Sequence, residues 1–136
     1  MRSTGGGAIQ VTRNGGDVPQ ESPNGKFLYY EKGFPLPRSV WKMPVEGGQE
    51  TKVLDSVNPS TVWTVGSKGI YFFRAADDKG RSDLSLYEFA TAKTRKLLTV
   101  ERSVFYGLTV SPDGRTILYT QVDEAGSNLM LVENFR

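Results

Sequence analysis

Apolar residues along this chain fall into short runs separated by polar, glycine-containing turns, and no stretch carries a helical period. The clearest runs are Phe27-Leu28-Tyr29-Tyr30 and Ile70-Tyr71-Phe72-Phe73, apolar on successive positions instead of alternating with polar residues. A strand with that look is covered on both faces. The run at 27–30 follows Ser22-Pro23-Asn24-Gly25-Lys26, and a matching phrase, Ser111-Pro112-Asp113-Gly114-Arg115, precedes the apolar run Ile117-Leu118-Tyr119. Proline presets φ for the second place of a type I turn, Asn or Asp suits the third, and glycine at the fourth accepts φ > 0. The phrase therefore predicts a hairpin corner, of the three-residue kind with a bulge at the glycine.

Gly66-Ser67-Lys68-Gly69 stands midway between the two copies and takes the place of a third corner. The spacing is thus a repeat of about 44 residues, the length of a four-stranded propeller blade. Each unit continues alike. A polar loop (Glu31 to Arg38, Ala76 to Asp83, Asp123 to Ser127) leads to a third strand (Val40–Val45, Leu84–Phe89, Leu129–Val132). Tight turns at Glu46-Gly47-Gly48-Gln49 and Thr91-Ala92-Lys93-Thr94 then lead to fourth strands at Thr51–Leu54 and Arg95–Thr99. The expected fold is all-β, three antiparallel four-stranded propeller blades per chain, with blade one at 17–55, blade two at 60–100 and blade three at 104–135.

The third unit has no fourth strand of its own, whereas Ala8–Arg13 precedes the first corner where a spare outer strand belongs. Residues 1–7, with three successive glycines, read as a flexible leader or expression scar. Rings of propeller blades usually need four to eight. Three blades would leave two apolar blade faces open, and such faces predict association. The expectation is a two-fold homodimer giving six blades, in which the outer strand of each copy completes the last blade of the other. Ile9 and Val11 on one side, and Leu129 and Leu131 on the other, are the closure residues this requires.

Composition adds chiefly exclusions. Among 136 residues there is no cysteine and no histidine, which removes disulfides, thiolate zinc sites, the commonest metal ligand and every Ser-His-Asp arrangement. A net charge of +2 is too mild to argue for nucleic acid, and no apolar run approaches a membrane span. Asp77-Asp78-Lys79-Gly80-Arg81-Ser82-Asp83 lacks the spacing of a calcium loop and reads as a solvated turn. Ser67-Lys68 is accounted for by the turn that contains it. The basic group of Lys93, Arg95, Lys96 and Arg102 suits an outer strand that resists edge pairing.

No catalytic residue, metal site or cofactor is expected, and the chain reads as a nonenzymatic binding module. The inner strands of a propeller line its channel, so Gln20, Glu21, Trp63, Phe105 and Tyr106 are the candidates for a protein or small-ligand site at the channel mouth. For each aromatic residue, packing between blades is the competing role.

The corner SPNGKFLYY, the strand and turn VWKMPVEGGQETKVL, and TQVDEAGSNLMLVENFR together resemble the TolB-like propeller repeat, a WD repeat-like architecture. The resemblance covers residues 8–136. It implies bacterial origin, favours the periplasm, and brings two further functional classes. One is the propeller portion of a larger hydrolase of the serine-peptidase kind. The other is a bacterial sensor or transcription regulator in which a winged helix binds DNA. The departures are the missing Ser-Pro corner in blade two, the count of three blades, and the absence of a winged helix from these 136 residues.

Overall fold

The computed structural model describes residues 7–8, 10–33, 38–57, 62–123 and 126–134. Three antiparallel sheets follow one another along the chain. The first contains β1 (Asp17–Glu21), β2 (Phe27–Lys32), β3 (Arg38–Pro44) and β4 (Thr51–Val57), in that order. The second repeats the meander with β5 (Trp63–Val65), β6 (Gly69–Phe73), β7 (Ser82–Glu88) and β8 (Lys93–Val100). The third has three strands, β9 (Val104–Val110), β10 (Thr116–Asp123) and β11 (Gly126–Glu133), with β10 in the middle. The sheets are blades, and the stack of three is open.

The corners explain the repeated phrase. The Gly25 N–H donates to Ser22 O at 2.8 Å, and the Gly114 N–H donates to Ser111 O at 2.8 Å. Both glycines are left-handed, with φ of 69° and 67°. The serine does more than start the turn. Its Oγ accepts the first amide of the second strand, from Phe27 at 2.9 Å and from Thr116 at 3.0 Å. It also donates to Asn24 Oδ1 or Asp113 Oδ1, which in turn accept from the amides of Lys26 and Arg115. The Ser22 and Ser111 amides pair with Phe27 O and Thr116 O, so four residues separate each pair. This corrects the three-residue corner, and the serine hydroxyl is the reason: it spans the extra residue.

The middle corner is shorter. The Gly66 N–H donates to Gly69 O at 2.8 Å, leaving only Ser67 and Lys68 between them. Neither glycine is left-handed; both are needed for space. A Cβ at Gly69 would lie 1.9 Å from Tyr87 O, and one at Gly66 would lie 2.8 Å from Val110 Cγ1 of the neighbouring blade.

Blade two is the centre of the molecule because its second strand is buried along its whole length. Ile70 and Phe72 enter a core with Tyr29, Val40, Leu54, Val57 and Trp63 of the first interface. Tyr71 and Phe73 point the other way, into a larger core with Leu84, Leu86, Val104, Leu108, Ile117 and Tyr119. The period of two along a strand sends successive side chains to opposite faces, so a continuous apolar run is what two covered faces require. Phe73 and Tyr119 pack with ring centroids 5.4 Å apart.

The N-terminal segment differs from its expected form. Ala8 and residues 10–13 lie in no strand; Ile9 and residues 1–6 lie outside the described residues. Thr12 and Gly16 instead approach Tyr30 on the outer face of blade one. Several strands also run longer than the sequence pattern suggests. Glu31 and Lys32 belong to β2, and Arg38 and Ser39 to β3, because main-chain pairing continues through polar residues.

Replacing Gly69 by alanine is expected to destabilise the fold by about 3 kcal/mol, since a backbone carbonyl blocks the new methyl. Gly66→Ala should cost about 2 kcal/mol, because the new methyl meets Val110 and the ring of the buried Tyr71, side chains that can shift only in part. Urea unfolding midpoints at unchanged m-value measure both.

Candidate functional site

The inner strands β1, β5 and β9 lie side by side, β5 between the other two. Two of the three carry a bulge in which a residue turns left-handed. Val18, four residues before Ser22, has φ of 52°, and Gly107, four before Ser111, has φ of 77°. Tyr106 beside it is also left-handed, at 41°. The pairing register shifts at both places. A bulge bends its strand and re-aims side chains, here those of the inner edge. The glycine at 107 was the sequence signal for it, and valine at 18 concealed it.

The five residues expected at a channel mouth separate into different environments. Gln20 is half-buried and ties blade one to blade two: its Nε2 donates to Trp63 O at 3.1 Å, and its Oε1 accepts the Val65 amide at 3.0 Å. It replaces a piece of strand pairing between blades. Trp63 is only 2% exposed, and its Nε1 donates to Glu31 Oε1 at 2.6 Å. Glu31 is itself buried, with Arg38 on its other oxygen. This carboxylate, bracketed by an indole and a guanidinium, had looked like the start of a polar loop. Glu21 is exposed and leans over the first corner, its Oε1 near Gly25. Phe105 and Tyr106 are exposed on β9 and pack edge-to-face, centroids 5.5 Å apart. Among the described residues no hydrogen bond or ring contact joins that pair to Gln20, Glu21 or Trp63.

The two end faces of the stack differ. On blade one, Tyr30 and Met43 are almost fully covered. The Lys32 ammonium lies 4.7 Å from the centre of the Trp41 ring, and that of Lys52 lies 5.7 Å away. Glu50 holds this cover in place, accepting from the Tyr30 hydroxyl at 2.8 Å and pairing with Lys32. Those hydrogen bonds, that of Lys32 first, hold its carboxyl below the usual glutamate range. Blade three is bare by comparison. Among the described residues its last strand β11 pairs only with β10. Leu129 and Leu131 are 71% and 59% exposed, and Leu118, Leu129 and Gly107 border a shallow hollow of about 150 Å³.

Other charged groups are locally satisfied. Asp77 accepts the amides of Lys79 and Arg81 and pairs with the Arg81 guanidinium, so its carboxylate closes its own loop. Arg95, Lys96 and Arg102 face Glu88, Asp83 and Asp123 respectively. Among the described residues no helix is long and apolar enough to cross a membrane, and no three metal-ligating side chains gather.

Comparison with solved structures places this arrangement. The chain superposes on TolB from Acinetobacter baumannii with a TM-score of 0.70 and 16% identity, over 87% of this chain and 30% of that one. The fold is that of TolB-like propeller blades. Putative TolB from Agrobacterium tumefaciens matches at a TM-score of 0.66 and 18% identity, over 83% of this chain and 40% of that one. The β-propeller domain of the Trilobed protease from Pyrococcus furiosus, described as having an open velcro topology, matches at 0.63 and 14% identity, over 88% and 38%. No family model and no curated protein matches the sequence. The chain thus spans 30% to 40% of the length of each of these structures.

Glu31→Ala should destabilise the blade one–blade two contact by about 3 kcal/mol, since it leaves the buried Trp63 indole N–H without its acceptor and breaks the ion pair with Arg38. Thermal or urea unfolding reads this directly. Glu50 predicts a pH effect of defined sign. Its folded pKa is lowered, so its stabilisation is complete above the unfolded value near 4.5 and is lost as pH falls through the folded value. The stability gap between wild type and Glu50→Gln should accordingly close as the pH is lowered below that range, measured by unfolding midpoints at a series of pH values.

Proposed function

We propose that this chain is a nonenzymatic propeller module that binds a protein or small ligand and completes its ring as a homodimer. The unpaired edge of β11, with Leu129 and Leu131 exposed beside it, carries the reading. A free, apolar strand edge is a template for a strand from another chain. The position of residues 10–13 supports it. They lie by the outer face of blade one, the face that would meet blade three of a partner in a six-bladed ring. A short shift would move Val11, already 44% exposed, onto the partner's edge. A two-fold axis relates the two copies of this contact, so the dimer interface is isologous and closed. With the ring closed, Phe105, Tyr106 and Glu21 would stand near the inner edge as the ligand-contacting residues.

A second reading rests on the comparisons. The chain matches about a third of longer propeller proteins, one of them the propeller domain of a protease. On that reading further blades and a hydrolase or regulatory domain of a longer protein cover the open faces.

Light scattering separates the two. The homodimer predicts twice the chain mass at micromolar concentration. Removal of residues 1–13, or the pair Leu129→Lys and Leu131→Lys, should return it to a folded monomer. A stable wild-type monomer, or a dimer indifferent to both changes, overturns strand exchange.

A further inference from the structure

Between blades one and two, at the end of the stack that carries the corners, lies a groove of about 530 Å³. It is formed within one chain and is remote in role from both the open edge and the inner strands. Its walls are aromatic. Tyr29 and Phe89 stack across the blade boundary with centroids 5.8 Å apart, and Tyr87 meets Phe89 edge-on at 6.4 Å. Phe89 is 38% exposed, so part of this aromatic surface faces the groove and not the core.

The charged groups on the groove are of one sign. Lys42 and Lys52 line it, and no carboxylate does among the described residues. Lys42 is in no ion pair among those residues; its ammonium rests 5.0 Å from the centre of the Phe27 ring. Lys52 borders the groove too, but its ammonium pairs with Asp55 and lies 5.7 Å from the Trp41 ring on the outer face of blade one, which leaves Lys42 as the cation of the groove. The Ser67 hydroxyl, in the two-residue corner of blade two, adds a donor at the same rim. Aromatic walls with a few convergent polar groups are the ordinary make-up of a small-ligand site.

We propose that this groove binds a small aromatic carboxylate, its ring against Phe89 and Tyr87 and its carboxylate at Lys42. The chemistry selects the class. Exposed phenyl surface favours an aromatic ring, and an unpaired ammonium on an apolar wall favours an anion over its neutral isostere. The proposal does not rest on the dimer, since every residue of the groove belongs to one chain.

Fluorine NMR of the intact chain with 4-fluorophenylacetate, and with 4-fluorophenylacetamide as the neutral isostere, tests it. The acetate should bind with a Kd of about 1–10 mM, as expected for so few heavy atoms, and the amide roughly fivefold more weakly. Lys42→Met keeps the stem over Phe27 and should abolish the preference without loss of thermal stability. Phe89→Ala should weaken both ligands by about threefold or more. Raising salt should weaken the acetate alone. Equal binding of the two probes overturns the proposal, as does no binding at about 50 mM, several times the upper end of the expected Kd. So does binding lost on Tyr106→Ala but retained in Phe89→Ala, or probe binding that declines as protein concentration rises, which would assign the groove to a second copy.

Discussion

A strand apolar on both faces needs a neighbour on each side, and β6 is such a strand. Its five residues are buried throughout, with Ile70 and Phe72 in one interface and Tyr71 and Phe73 in the other. Everything else in the chain is arranged around that requirement. Blades one and three are the two covers: blade one presents Tyr29 from β2 and Val40 from β3 toward the centre, and blade three presents Ile117 and Tyr119 from β10. Glycine at 66 is a local consequence, because Val110 of blade three approaches so closely that a methyl group there would collide with it, while Gly69 makes room for the Tyr87 carbonyl of its own blade.

The same requirement, applied to the end blades, meets a different answer at each end. Blade one covers its outer aromatic residues with lysine stems, ammonium groups and the segment near Thr12 and Gly16. Long basic side chains can lie along apolar surface while their charges stay in water. Among the described residues blade three has no such cover, and its last strand offers both an apolar face and an unpaired edge. That asymmetry gives the molecule a direction, with one end protected and the other receptive.

Polar groups inside the blade contacts do structural work that resembles a site from the sequence. Gln20 substitutes for main-chain pairing between β1 and β5, and Trp63 is anchored by Glu31 and Arg38. Buried polar groups must find partners, and here the partners lie on the adjacent blade. The Gln20–Val65 and Glu31–Trp63 contacts join residues from different sheets, so no local spacing announces them. The groove beside Phe89 and Lys42 escaped notice for the same reason: its walls come from two blades, separated by a whole repeat.

The sequence by itself determined the blade pattern. Turn chemistry and strand periodicity act over a few residues, and the Ser-Pro-Asn-Gly phrase carries nearly all of its hydrogen-bond wiring within itself. The double-faced apolar runs also disclosed how the sheets stack, since they state how many sides must be covered. Only the tertiary structure decided which aromatic residues are buried, where the inner strands bulge, and that residues 10–13 lie beside blade one outside any strand. Those outcomes depend on which surfaces meet across blades some 44 residues apart, and packing at that distance leaves no period in the chain.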